Sequence, residues 1–197
     1  MTELMEQVRM REYLRDKGDG LPLAEVCARV AAAFETMEAL LAPVSAGEAG
    51  GRPLPGEWSI HEVVDHLILT HEPSVGELVD LLAGRRPAGP PIPAGLQSSD
   101  PLARPWDALR VALHAQHAAA LRVLEGARDV PTDARAPVVA VVNVRGADGR
   151  DAPLHWEEEI AWKAYAVFAF RLHTLDHINQ VRKLLGAGKR PTPGSGA

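Results

Sequence analysis

Residues 58–82 read WSIHEVVDHLILTHEPSVGELVDLL, and their apolar side chains recur at steps of three and four residues. This spacing puts them on one face of a helix, which we expect from about Trp58 to Ala83. Ser59 with Glu62 three residues later is typical of a capping box at a helix start. Pro73 lies inside the pattern and predicts a kink in this helix.

The same periodicity predicts three more long helices, and the charged N-terminal segment is compatible with a short helix beside the bundle. We expect them at about Leu23 to Leu41, Trp106 to Ala127, His155 to Leu185 and Thr2 to Asp16. Four long helices with little strand indicate an all-α fold, with an antiparallel four-helix bundle as the default architecture. The β-branched stretch from Val138 to Val144, followed by turn-forming residues 146–149, is compatible with a short β-hairpin before the last helix.

The predicted organisation is one helical domain with short flanks. Residues 1–20 form an N-terminal helix or extension, residues 21–187 the bundle, and residues 188–197 a disordered tail rich in Pro, Gly and Ser. The connection at residues 84–105 is also rich in Pro, Gly and Ser. Connections of this length in a compact domain are usually functional or disordered.

Composition and charge exclude several classes of protein. The chain has 197 residues, 46% hydrophobic and 24% charged, which is typical of a globular domain with a sizeable core. Its net charge of -5 argues against a nucleic-acid-binding surface, which needs a basic face. Cys27 is the single cysteine, so no intrachain disulfide can form. Because the sequence shows neither a signal-peptide pattern nor an apolar run of about 18–20 residues, we expect a soluble, cytoplasmic protein.

Two of the eight histidines, His173 and His177, lie four residues apart on the last predicted helix. One helical turn separates them, so both rings project from one face and can bind the same metal ion. The pair alone leaves a second interpretation open, in which two unrelated core histidines make ordinary hydrogen bonds. A third ligand must come from another helix, and His66 is the best candidate.

The other helical histidines fit this ion less well. His61 and His71 each lie five residues from His66, about 140° round the helix, so neither shares an ion with it easily. His114 and His117 are three residues apart and form a rival pair, but their neighbours offer no further ligand. We interpret these two as residues of a polar helix face.

The pattern Trp-Ser-x-x-Glu-x-x-x-His-Leu at residues 58–67, followed by His-x-x-x-His at 173–177 and by Gln180, resembles the DinB/YfiT-like family. The resemblance covers the helical part of the chain. It implies a four-helix bundle, often a homodimer, with a divalent metal ion held by three histidines, which here fall on His66, His173 and His177. It also implies a relation to thiol-dependent transferases and isomerases that use mycothiol or bacillithiol.

Three neutral imidazoles leave a metal ion with its full charge and an open coordination position, the arrangement of a catalytic rather than a structural site. Such an ion lowers the pKa of bound water to about 7 or holds a thiol as thiolate. Imidazole ligands suit zinc, nickel, iron or copper, of which we expect zinc, nickel or iron, and the sequence does not choose among them.

We therefore predict a divalent-metal-dependent enzyme that transfers or activates a low-molecular-weight bacterial thiol, and the resemblance alone favours the thiol. The alternatives are a metal-dependent hydrolase and a stress-response or structural bundle without catalysis. Glu62, one turn before His66, is the candidate for a general base or for a residue that orients a ligand. Gln180 is the candidate for a hydrogen bond to substrate. The expected partners are a small thiol or electrophile and a second copy of the chain, with no nucleic acid and no membrane.

Overall fold

Helices make up most of the computed structural model, which describes residues 2–145 and 151–188. In chain order the helices are α1 (Thr2–Leu14), α2 (Leu23–Leu41), the short α3 (Ala46–Gly50), α4 (Ile60–Leu82), α5 (Trp106–Glu125), α6 (Trp162–Ala166) and α7 (His173–Gly188). The π-helical segment Arg15–Asp19 extends α1, and a second one, Val167–Leu172, joins α6 and α7 into one long last helix. Two strands, β1 (Ala136–Arg145) and β2 (Asp151–Ile160), precede that helix.

The last helix packs against α4 in the opposite direction. Near its start Tyr165 hydrogen-bonds Glu77 towards the end of α4, and two turns later His173 lies against His66 near the beginning of α4. Helix α2 packs against both α5 and α7, which closes the bundle. The all-α four-helix bundle expected from the sequence is confirmed.

Helix α4 begins with the predicted capping box. The hydroxyl of Ser59 accepts a hydrogen bond from the backbone N–H of Glu62, whose carboxylate in turn accepts one from the backbone N–H of Ser59. Both of these backbone donors would otherwise lack a partner within the helix. Helix α4 continues through Pro73 to Leu82. The kink expected at that proline stays a prediction.

The last helix begins later than its sequence predicts, so the expectation of helix from His155 was wrong. Residues 155–160 belong to β2, which pairs antiparallel with β1 so that Ala140 lies opposite Trp156 and Val138 opposite Glu158. Three consecutive glutamates favour a helix locally, but pairing with the β-branched residues of β1 outweighs that propensity. The hairpin that the sequence allowed is therefore present. Its predicted turn at residues 146–149 lies outside the described part of the chain.

The Pro-rich connection between α4 and α5 crosses the molecule beside His66. The carbonyl of Leu96 lies 2.6 Å from Nδ1 of His66. Two residues later, the backbone N–H of Ser98 donates to the fully buried carboxylate of Asp65 at 3.0 Å. Both contacts anchor this connection to the part of α4 that carries the predicted ligand.

Two apolar clusters fill the bundle. The one nearer the hairpin includes Val30, Phe34, Leu78, Leu124 and Phe170, and the other includes Met37, Leu67, Leu113, Ile178 and Val181. Histidines separate them along three helices: His71 on α4, His117 on α5 and His173 on the last helix. The polar centre of the bundle is thus a layer of imidazole rings between two hydrophobic layers.

Among the residues that the structure describes, no helix has the length and apolar character needed to span a membrane. The division into residues 1–20, 21–187 and 188–197 stays a prediction. Gly188 ends α7, and the remainder of the predicted tail, residues 189–197, lies outside the described residues.

Candidate metal centre

The structure brings His66, His173 and His177 together although 107 residues separate the first two. Nε2 of His173 lies 2.9 Å from Nε2 of His66 and 3.0 Å from Nε2 of His177. The nitrogens of a tetrahedral zinc ion, each about 2.0–2.1 Å from the metal, lie about 3.3 Å apart. The observed spacing is therefore close to that of three ligands to one ion.

A hydrogen bond to the opposite side of each ring supports this interpretation. Nδ1 of His66 donates to the carbonyl of Leu96, and Nδ1 of His177 donates to Oε1 of Gln180 at 2.8 Å. The ring of His173 hydrogen-bonds the backbone of Ala169, one turn earlier on the same helix. Because a neutral imidazole carries one proton, these bonds leave the converging Nε2 atoms of His66 and His177 as lone-pair donors. Nε2 of His173 carries at most one hydrogen, so it can donate to only one of these two nitrogens. A divalent cation would bind all three lone pairs at once, so the residues fit such an ion.

Burial keeps these rings in the form that binds metal. It lowers the pKa of His66, lowers that of His173 well below 6.5 and lowers that of His177 to about 4. The proximity of the rings to one another adds to the effect for His173 and His177, since protonation of one disfavours protonation of the next. All three imidazoles are therefore neutral at neutral pH.

The π-helical segment Val167–Leu172 ends directly before His173. A π-turn contains more residues per turn than an α-helix, so it rotates the residues after it relative to those before it. Such segments occur frequently at functional sites. The sequence does not indicate this segment, because its spacing of apolar residues is compatible with an uninterrupted α-helix.

A pocket of about 390 Å³ opens beside the three histidines. It lies between β1, α4, the last helix and the Pro-rich connection, and its lining is mainly apolar. His173 is the one ligand of the three that is partly exposed. An ion held by the histidines would therefore border a space in which a small organic molecule fits.

Glu62 and Gln180, the two predicted catalytic residues, have other described contacts. The carboxylate of Glu62 binds the backbone and hydroxyl of Ser59 and forms an ion pair with Arg52. Gln180 hydrogen-bonds His177, so it orients the ring of a candidate ligand. Catalytic roles for both residues stay predictions.

The expectation that His117 belongs to a polar helix face was wrong. His117 is only 2% exposed, stacks on Phe34 with ring centroids 3.8 Å apart and hydrogen-bonds Glu38. His71 is fully buried between Phe34, His117, Phe170 and His173, and neither of its ring nitrogens has a hydrogen-bond partner among the described atoms. Sequence spacing shows which face a residue occupies but not which rings of other helices it meets, so this part of the layer could not be predicted.

The ring of Trp58 packs beside two of the three candidate ligands. Its ring centroid lies 5.1 Å from that of His66 and 6.3 Å from that of His177, nearly parallel to the latter. The tryptophan at the beginning of the family-like pattern thus packs directly on two of the ligands. Trp162, in contrast, is buried in the hydrophobic cluster near the hairpin.

A model of the DinB superfamily matches residues 13–162, more than half of the chain. The match includes His66 and ends before His173 and His177. No curated protein and no solved structure matches the chain significantly. The helical bundle and the family match agree, and the chain belongs to the DinB superfamily.

Proposed function

We propose that this chain is a divalent-metal-dependent enzyme that activates a low-molecular-weight thiol for transfer to an electrophile. The observation that carries the proposal is the convergence of three imidazole nitrogens at the edge of an apolar pocket. Three protein ligands leave a coordination position for a substrate, whereas a structural zinc site uses four. When bound, the ion supplies the positive charge that lowers the pKa of a thiol. The resemblance to the DinB/YfiT-like family favours a thiol over water as the activated group.

In the proposed reaction, the thiol loses its proton and its sulfur forms a bond to an electrophilic carbon, whose leaving group departs with the bonding electrons. Asp176 is the candidate acceptor of the proton. Its exposed carboxylate lines the pocket and directly precedes the ligand His177.

A spectroscopic titration tests the thiol. The chain is loaded with Co²⁺, 2-mercaptoethanol is added, and the near-ultraviolet band of a sulfur-to-cobalt charge transfer is recorded. We expect this band in the unmodified protein and in His155→Ala, whose histidine is exposed on β2, and its loss in His173→Ala.

The same preparation separates the alternatives. A hydrolase would show no thiol band and would hydrolyse an activated ester only when metal is present. A structural or stress-response bundle would gain thermal stability from the metal without responding to thiol or ester. Either result would contradict thiol transfer.

The cytoplasmic location and the homodimer are also proposals. The single cysteine supports the first, and the family resemblance supports the second. Light scattering coupled to size-exclusion chromatography tests the dimer, which predicts twice the mass of 21.2 kDa.

A further inference from the structure

The pocket extends far beyond the three histidines. Its lining continues along α4 from His66 to Glu77 and along the last helix from His173 back to Tyr165. Eleven residues separate His66 from Glu77, about 16 Å at a rise of about 1.5 Å per residue. A molecule that reaches the metal centre can therefore place a second group at this distant end, where Glu77 and Tyr165 meet.

The hydroxyl groups that line this side of the pocket donate their hydrogens to protein oxygens. The hydroxyl of Tyr165 donates to Oε2 of Glu77, and that of Ser74 donates to the carbonyl of Thr70 at 2.7 Å. The hydroxyl of Thr70 donates to the carbonyl of His66 at 2.8 Å. Each hydroxyl has a single hydrogen and has already used it, so lone pairs are what remain for a ligand.

Negative charge at this end has no described counter-charge. Glu77 supplies the charge at this end, and the described residues that line the pocket include no lysine or arginine. Burial raises the pKa of the Glu77 carboxyl, as expected for a carboxylate without a cation beside it, although the hydrogen bond from Tyr165 acts in the opposite direction. A ligand that brings both a positive charge and hydrogen-bond donors would satisfy these groups.

We propose that the pocket binds a substrate with an apolar body and an ammonium group, and that Glu77 and Tyr165 bind the ammonium. An ammonium carries three donors and one positive charge, which match the acceptors and the carboxylate. The apolar body lies against β1 and against Phe168 and Leu172 of the last helix. The inference rests on the proposed function for one point, namely that another part of the same substrate reacts at the metal. Glu77 would then determine which substrates bind.

A series of thiol-free ligands tests the inference separately from thiol transfer. We compare 4-phenylbutylamine, 4-phenylbutanol and 4-phenylbutyrate, which share an apolar body and differ in the charge of the head group. Calorimetric titration of the full chain, with zinc and again with a chelator, should give at least about tenfold tighter binding of the amine than of the alcohol, with the carboxylate weakest. The preference should persist without metal because Glu77 is remote from the histidines.

Variants identify the residues responsible. Glu77→Gln should remove most of the preference for the amine, and Tyr165→Phe should weaken it. Glu72→Gln should leave it unchanged, because Glu72 is an exposed residue of the same helix outside the pocket. Equal binding of amine and alcohol, a preference that survives Glu77→Gln, or no binding of any of the three would overturn the inference. A retained amine preference without a thiol band on cobalt would instead overturn the proposed thiol transfer alone.

Discussion

The amide of Gln180 determines which nitrogen of His177 carries the hydrogen, because its oxygen accepts a hydrogen bond from Nδ1–H and leaves Nε2 free to bind a metal ion. Gln180→Met keeps the length of the side chain and removes this acceptor. We expect metal affinity to fall by about 10–100-fold, the usual cost of losing a hydrogen bond to a ligating histidine. Competition with a chelator measures the affinity. Asn179→Leu, at the exposed neighbouring position, is the control, and an unchanged affinity in Gln180→Met would contradict the orienting role.

The buried ring of His71 should destabilise the folded protein. Its two ring nitrogens are buried without described partners, and a polar group in that state destabilises the folded protein. His71→Leu, similar in volume, should therefore raise the free energy of unfolding by about 1 kcal/mol or more. Urea denaturation at pH 8 measures it, with His155→Leu as an exposed control. A less stable His71→Leu protein would contradict this account, because it would show that the ring nitrogens of His71 do form a stabilising hydrogen bond.

Only part of the histidine site could be predicted from the sequence. His173 and His177 could be predicted to share a face because four residues make about one helical turn. Their meeting with His66 depends on how two distant helices pack, and the family resemblance supplied that pairing. The contact of Gln180 with His177 follows the same helical spacing, since the two lie three residues apart, but nothing in the local pattern indicated the position of Glu77 in the pocket.

At the scale of elements, the β-hairpin stabilises the bundle through one of its faces. Ala136, Val138 and Ile160 belong to the hydrophobic cluster, whereas Val141 is 42% exposed. Ile160→Ala should lower the free energy of unfolding by about 2–5 kcal/mol, because it leaves a cavity in the core. Val141→Ala should change it by less than about 0.5 kcal/mol. Chemical denaturation measures both changes. Equal effects would contradict the conclusion that the face with Ile160 packs on the core and the face with Val141 does not.

The hairpin also shows where sequence patterns are insufficient. In β2, exposed Glu157 and Glu159 alternate with the more buried Trp156, Glu158 and Ile160, which is a strand pattern. The strand that stabilises β2 by pairing is β1. The three consecutive glutamates of β2 favour a helix, so the strand pattern was not recognised from the sequence. The four long helices were predictable because each carries an apolar face over many turns.

At the scale of the whole molecule, the histidine layer makes stability depend on pH. His117 packs against Phe34 and His71 and hydrogen-bonds Glu38, which also binds His114. Burial lowers the pKa of His117 below 6.5, although the bond to Glu38 raises it. The unfolded chain therefore binds more protons than the folded one between the lowered pKa and 6.5, so stability decreases as the pH falls below 6.5.

His117→Gln removes this contribution. We expect the loss of stability between pH 7.5 and pH 5.5 to be smaller in the variant than in the unmodified protein, both measured in chelator by urea denaturation. The comparison between two pH values in each protein cancels the pH-independent cost of the substitution. Parallel pH dependences in the two proteins would contradict the depressed pKa of His117.

The three histidines lie on α4 and on the last helix. The metal content of the purified protein tests most directly whether they bind an ion. Elemental mass spectrometry of protein purified without an affinity tag should find about one divalent ion per chain, since the three imidazoles form a single site. His66→Ala and His173→Ala should contain little metal, and His155→Ala should contain as much as the unmodified chain. A metal-free protein that zinc, nickel and iron all fail to load would contradict the centre, and the chain would then be a helical bundle with histidines in its core.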